Sequence, residues 1–243
     1  MKIEICESAL ALDFMINLPV MKGHCQTILT CALKNNKGLI PDSEKRRFHS
    51  LGLHKPIAHL NTVARNDFTV VDGICGDLDF EEGGNPVYSG RIFAGRDPVL
   101  CDAWAARLMG YEPEEIPYIG LAEKLEVGVS APAQVRELNK SSEASPNEKF
   151  PEKPGGKVRQ LSGFIDEDGA CSACYAGLVY ALSRLDKAAR NRVGTVSIGQ
   201  GFRGKKGELG VGQCTGEFSS SCPGCPPSGA QILKFLQGAG KVP

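Results

Sequence analysis

Ten cysteines stand in this 243-residue chain, and those near the C-terminus are spaced for thiolate chemistry rather than packing. Cys171 and Cys174 lie three apart in Ala170-Cys-Ser-Ala-Cys-Tyr175. Cys214 follows in Gly212-Gln-Cys-Thr215, and Cys225 in Cys222-Pro-Gly-Cys-Pro-Pro227. At a helix start, an i, i+3 pair turns both sulfurs to one side while the N-terminal dipole favours thiolate. Gly210, Gly212 and Gly216 let backbone N–H groups approach closely, which suits sulfide acceptors more than a lone zinc ion. Pro226 and Pro227 stiffen the chain after Cys225. The pattern points to a cluster of iron and sulfide. The alternative is a zinc site of four thiolates from two Cys-x-x-Cys knuckles, Cys171/Cys174 and Cys222/Cys225. The 47 residues between those knuckles exceed the roughly 15 to 20 of a zinc ribbon. The readings part at one residue, since iron predicts Cys214 as fourth ligand and zinc predicts Cys222. A thioredoxin-like dithiol is a third reading, weakened because Asp166-Glu-Asp-Gly169 does not read as the strand such a motif follows.

Composition bounds what these thiols serve. The chain is long enough to bury a substantial core in one or two domains. Its formal charge is zero, but residues 1–128 carry 13 Lys/Arg against 18 Asp/Glu and residues 129–243 carry 15 against 10. That asymmetry permits docking on an acidic redox partner protein. With no dense basic run interleaved with aromatics, nucleic acid is excluded as a partner. Residues 1–5 lack the apolar core of a signal peptide, and no apolar run reaches membrane-spanning length. A reducing cytoplasm is the expected compartment, where thiols stay available for metal. Cys6, Cys25, Cys31, Cys75 and Cys101 sit among apolar residues and read as buried structural thiols.

The elements that must position these groups alternate. A buried strand is predicted over 13–20, stopped by Pro19, then a helix over 27–34. Pro41-Asp-Ser-Glu opens a charged helix to about Leu51, and Pro56 starts another to Ala64. Buried strands are predicted over 68–72, ending on Asp72-Gly73, and over 91–95, ending at Asp97. Pro98 begins a helix to Gly110, and 114–126 form a further helix. Residues 129–157, rich in Pro, Ser, Glu, Lys and Gly, read as a linker or mobile loop. Beyond it come a helix over 171–185, a strand over 195–198 and a short helix over 229–236 with a Ser228/Gln231 capping box. The expected fold is α/β, a layered and at least partly parallel sheet in residues 1–128, with a smaller C-terminal α/β cysteine-cluster unit in 158–243. No internal repeat is evident.

Upstream, Lys22, His24 and Lys34 are placed to converge on an anion, and Asp72 and Asp97 fall at predicted strand ends, which line the ligand crevice of open α/β sheets. Together they are the candidate catalytic groups of a pocket for a small anionic substrate. Ordinary roles stand beside this reading: solvated charges for Lys22 and Lys34, a helix cap for Asp97, structural hydrogen bonding for His24. Asp77, Asp79 and Glu81 could offer oxygen ligands to a second metal, but the spacing is not that of an EF-hand, and an exposed acidic loop is the preferred reading. His49, His54 and His59, at intervals of five, do not share a helix face and read as surface or packing residues. Gly199-Gln-Gly-Phe-Arg-Gly-Lys-Lys-Gly207 lacks Walker spacing and reads as a flexible basic loop over the cluster.

Two resemblances follow from these residues. The order Cys171-x-x-Cys174, Gly212-Gln-Cys214, Pro223-Gly-Cys-Pro-Pro227 resembles the cluster site of nickel–iron hydrogenase small subunits over about residues 166–236, with Ala173 where those subunits carry glycine. It implies one [4Fe–4S] cluster on Cys171, Cys174, Cys214 and Cys225. Leu18-Pro-Val-Met-Lys-Gly-His24, Ala32-Leu-Lys-Asn35, Gly38-Leu-Ile-Pro41, Thr69-Val-Val-Asp-Gly73, Ala94-Gly-Arg-Asp-Pro-Val99 and Ala105-Ala-Arg-Leu-Met-Gly110 resemble the domain of unknown function 362 family over about residues 10–128. That resemblance implies an iron–sulfur association and a domain shortened at its N-terminus, and it supplies no reaction. The functional expectation is an iron–sulfur protein in electron transfer, possible as an oxidoreductase. The alternatives are a cluster-dependent hydro-lyase and a zinc-stabilised, non-enzymatic interaction module.

Overall fold

The computed structural model describes residues 1–78, 86–131 and 156–239. The chain divides into two compact units: Met1–Glu44 with His54–Pro154, and Lys45–Leu53 with Gly155–Pro243. Residues 132–155 of the expected linker, and Asp79 and Glu81 of the acidic stretch, lie outside the described residues.

The first unit opens with α1 (Glu7–Leu10), β1 (Ile16–Asn17), and a hairpin of β2 (Lys22–His24) and β3 (Ile28–Thr30). After it come α2 (Ala32–Asn35), α3 (Asp42–Ser50) and α4 (His54–Leu60); from Lys45 onward α3 counts with the second unit. Then follow β4 (Phe68–Asp77), β5 (Pro86–Gly95), α5 (Pro98–Leu108) and α6 (Pro117–Lys124). β1 pairs with β4 in parallel and β4 with β5 antiparallel. The strand expected over 13–20 shrinks to two residues because Pro19 has no N–H to donate; its chain rejoins β4 only at a bridge between Val20 and Asp72. The helix expected over 27–34 is strand from Ile28 to Thr30, paired with Lys22–His24 across the hairpin; Ile28 leaves the turn at a positive φ of 68°, and helix begins only at Ala32. β4 runs past Asp72 to Asp77 with alternate burial, Thr69 and Val71 inward and Asp72 outward, as a strand with one covered face requires. Asp72 is therefore mid-strand rather than at a strand end.

Helices cover this sheet through apolar faces. Leu33, Ile57, Leu60, Val99, Ala103, Ala106, Tyr118 and Ile119 are all buried, with α2 against α5 and α4 against α6. Asp97 caps α5, its carboxylate accepting from the N–H groups of Val99 and Leu100 at 2.8 and 3.0 Å, with Pro98 following as N1. A buried asparagine network joins the loops: Asn35 donates to Asn17 (2.7 Å), Asn36 to Asn61 (2.8 Å), and Asn61 to the carbonyls of Leu33 and Ile57.

The second unit holds α7 (Gly156–Leu161), β6 (Ile165–Glu167), α8 (Ser172–Arg184), α9 (Lys187–Val193), β7 (Val196–Ile198), β8 (Leu209–Val211), β9 (Ser220–Cys222) and α10 (Gly229–Ala239). All four strands are parallel, in the order β6-β7-β8-β9. Leu178 and Leu182 of α8 are fully buried, as are Ile232 and Leu236 of α10, the helix on which α8 packs; Val196, Ile198 and Val211 of the sheet are buried too. The Ser228/Gln231 capping box forms: the Ser228 N–H donates to Gln231 Oε1 at 2.8 Å and the Gln231 N–H to Ser228 Oγ at 3.3 Å.

Candidate functional site

The parallel sheet of the second unit gathers the C-terminal cysteines at one edge. β6 ends at Glu167, ahead of Cys171 and Cys174; β8 ends at Val211, three residues before Cys214; β9 ends at Cys222, three before Cys225. The carboxyl ends of parallel strands are where α/β sheets place their ligands. Cys171 is the N-cap of α8 and does not cap it with its side chain, while Cys174 sits in the first turn. The backbone of the β8 loop passes close by, since a Cβ on Gly212 would stand 3.7 Å from the Cys174 sulfur.

Electrostatics show which thiols share the space. The Cys174 thiol is pushed up to about 12, first by burial and then by the neighbouring Cys171, Cys225 and Cys214. Cys222, almost fully buried, is raised by burial alone. Its backbone serves the loop instead, its carbonyl accepting from the Gly212 N–H at 2.8 Å. So Cys171, Cys174, Cys214 and Cys225 form one group and Cys222 stands outside it. A gathered set of thiols is a donor set for iron–sulfur or zinc, and all ten cysteines are free of disulfides. Among the described residues, no group of three or more His, Cys, Asp or Glu side chains is closed up to metal-holding geometry. Contrary to expectation a strand, β6, does precede Cys171, which removes that ground against a dithiol; two further thiols beside the pair distinguish it.

Two polar side chains that the sequence hid in a basic loop reach this group. Arg203 Nε donates to Cys214 Sγ at 3.4 Å. Gln200 Nε2 donates to the Arg46 carbonyl at 2.9 Å and the Gly169 carbonyl at 3.3 Å. The loop is thus an ordered 3-10 turn over Gln200–Phe202 rather than a flexible cover. His49, expected on the surface or in packing, has its Nε2 3.5 Å from Ser172 Oγ, between Cys171 and Cys174 in sequence. Gly199 makes the turn possible: its φ is 129°, and a Cβ there would fall 2.1 Å from the Asp168 carbonyl oxygen. Gly199→Ala should therefore destabilise the second unit by roughly 3 kcal/mol, read as a lowered urea midpoint.

The upstream candidates are dispersed over several roles. His24 is buried, and its Nδ1 accepts from the N–H groups of Gln26 and Thr27 at 3.1 and 3.0 Å, which puts the ring proton of the neutral form on Nε2. Lys34, rather than being solvated, is buried, with Nζ donating to Thr30 Oγ1 at 3.1 Å. Thr30 is the register partner of Lys22 across the hairpin. Asp72 accepts from the Ile74 N–H at 2.9 Å at the register shift in β4. Both Asp97 oxygens are engaged, Oδ2 by the Val129 N–H at 2.8 Å. Of the upstream cysteines, Cys31 and Cys101 are buried as expected, but Cys6 and Cys75 are exposed and Cys25 is half-buried. Their segments lie at the start of the chain, in the β2–β3 turn and at the register shift of β4, where apolar neighbours do not ensure burial.

Residues 1–107 match the family described as Domain of unknown function (DUF362). The cysteine group lies outside that match. Within the DUF362 region sits a second buried polar group: Asp102 on α5, fully buried, accepts from the Leu33 N–H at 3.3 Å. Tyr118 and Cys31 lie beside it, with the Tyr118 hydroxyl directed to the Leu29 carbonyl at 3.3 Å and His54 stacked on the Tyr118 ring, centroids 5.9 Å apart. The chain is also similar to the thylakoid-associated protein sll1697 of Synechocystis sp. (strain ATCC 27184 / PCC 6803 / Kazusa), with 24% identity over 140 residues, 53% of this chain and 42% of the relative. The chain thus spans less than half the length of that relative. No solved structure matches the chain significantly. Among the described residues, no helix is long and apolar enough to cross a membrane.

Proposed function

We propose that the second unit holds one [4Fe–4S] cluster on Cys171, Cys174, Cys214 and Cys225 and serves electron transfer. The observation that carries this reading is the grouping of thiols: Cys171, Cys214 and Cys225 all act on Cys174, whereas Cys222 answers to burial alone. A four-thiolate zinc site on the two knuckles needs Cys222 and leaves Cys214 without a part. When bound, such a cluster supplies one-electron transfer at a potential set by its protein surroundings. The chain's own residues set the geometry. Three parallel strands deliver the thiols from one end of the sheet, and Cys225 is exposed where an electron could enter or leave. An acidic redox partner protein, a small anionic substrate near Lys22 and His24, and a reducing cytoplasm belong to the same proposal.

Anaerobic reconstitution of the full chain tests it. About four iron and about four acid-labile sulfide per chain, with an EPR signal on reduction, are expected. Stoichiometric zinc with no labile sulfide would overturn the reading in favour of a zinc-stabilised module.

A further inference from the structure

The turn after β7 repeats the turn after β8. Ile198-Gly199-Gln200 aligns with Val211-Gly212-Gln213, and both glycines have positive φ, 129° and 91°, with ψ near 166° and 165°. Each glycine is followed by a 3-10 turn with the same backbone bonds. Phe202 N–H to the Gly199 carbonyl (3.2 Å) matches Thr215 N–H to the Gly212 carbonyl (3.1 Å), and Arg203 N–H to the Gln200 carbonyl (3.2 Å) matches Gly216 N–H to the Gln213 carbonyl (3.3 Å). In this alignment Gly201 occupies the place of Cys214.

In the β7 turn that place is taken by the Asp168 carboxylate. A Cβ on Gly201 would fall 1.9 Å from a carboxylate oxygen of Asp168. One residue pair further on, the turn delivers Arg203 instead, with Nε 3.4 Å from the Cys214 sulfur. Asp168, the carboxylate of the same rim, pairs with Lys205 at 3.5 Å. Gln200, bonded to the Gly169 carbonyl, ties the turn to the loop that presents Cys171 and approaches that sulfur to 4.0 Å. Three strand ends of this sheet thus deliver thiols, and the fourth delivers a cation and an amide aimed at them.

We propose that Arg203 is a positioning residue for the cysteine site: its guanidinium donates to the Cys214 thiolate and raises the reduction potential of the cluster, an inference that rests on the iron–sulfur reading above. Adding an electron makes the cluster more negative, so a fixed cation and an N–H bond to a ligating sulfur stabilise the reduced form. Arg203 is exposed, so water and salt screen part of its field. The effect is therefore moderate and falls with ionic strength, which a purely structural role would not produce.

The test uses the reconstituted full chain as wild type, Arg203→Gln and Arg203→Lys. Iron and sulfide are measured first, then the midpoint potential by EPR-monitored titration at low salt and at about 1 M salt, where screening acts within about 3 Å. All three proteins should hold iron. At low salt, Arg203→Gln should shift the reduction equilibrium about threefold toward the oxidised cluster, about 28 mV at about 59 mV per tenfold for one electron. Arg203→Lys should fall between, and high salt should narrow the gap. Variants that retain iron at the wild-type potential in both salts would overturn the inference, and so would loss of iron from both variants. A wild type that binds no iron would overturn the cluster reading itself, and this inference with it.

Discussion

Cys214→Ala should release the iron, and Cys222→Ala should leave it in place. The two residues stand eight apart, Cys214 after β8 and Cys222 at the end of β9, and their surroundings differ in kind. Cys214 follows β8 in a 3-10 turn, half-exposed, beside Arg203 and near enough to Cys174 to act on its thiol. Cys222 ends β9 with its side chain turned into the interior, only 3% exposed. Loss of outer-shell partners alone weakens metal binding roughly 10- to 100-fold, so loss of a ligand should exceed that. The iron content of Cys214→Ala after desalting is accordingly expected to fall close to background. Cys222→Ala removes one buried sulfur and should cost about 1 kcal/mol of stability, with iron, sulfide and the EPR line shape unchanged. The reverse outcome, metal lost with Cys222 and kept without Cys214, would assign the site to the two knuckles and to zinc. Spectra of the pair alongside metal analysis separate this from general unfolding, because each variant serves as the other's control.

That pair also shows how far the chain could be read in advance. The special place of Cys214 was legible because a lone cysteine in a glycine loop has no role in a two-knuckle zinc site. The helices were legible where local chemistry marks an end, as at Asp97-Pro98 and at Ser228 with Gln231, whose caps form as their spacing requires. The sheet that gathers the thiols was largely hidden. Ile165-Asp-Glu, Leu209-Gly-Val and Ser220-Ser-Cys are three-residue strands without alternation or β-branched runs, and they are strands only because parallel neighbours complete their hydrogen bonds. The turn repeat at Gly199 and Gly212 spans three similar residues, too few to stand out until backbone angles show the match. Asp72 misled because Asp-Gly commonly ends a strand, whereas here the pair forms part of a register shift and the ladder continues.

The stability of the first unit should fall as pH rises from about 4 to about 7, and Asp102→Asn should flatten that slope. Burial pushes the Asp102 carboxyl from 3.8 to about 7, only partly offset by hydrogen bonds from the Leu33 N–H and by the neighbouring Tyr118 and Cys31. No cation among the causes of this shift stabilises its charged form. The Cys31 and Tyr118 groups beside it are themselves raised by burial, and Cys101 is pushed up to about 12. In the folded unit the carboxyl therefore holds its proton to near neutrality, while in the unfolded chain it loses it near 3.8. Between those values the folded state binds more protons, so the stabilisation is complete below about pH 4 and is lost as pH rises through about 7. At about 1.4 kcal/mol per unit the shift corresponds to roughly 4 kcal/mol. The half-buried carboxylates Asp67 and Glu123, held low by hydrogen bonds, push stability the opposite way, so the informative quantity is the difference between wild type and variant. Trp104, the single tryptophan, lies two residues along the same helix and reports unfolding in urea by fluorescence. Asparagine keeps an oxygen for the Leu33 N–H but has no proton to lose, so the variant should differ least from the wild type below about pH 4, where both side chains are neutral, and gain on it as pH rises through about 7. Parallel pH profiles for Asp102→Asn and wild type would show that this carboxyl is already ionised in the folded unit.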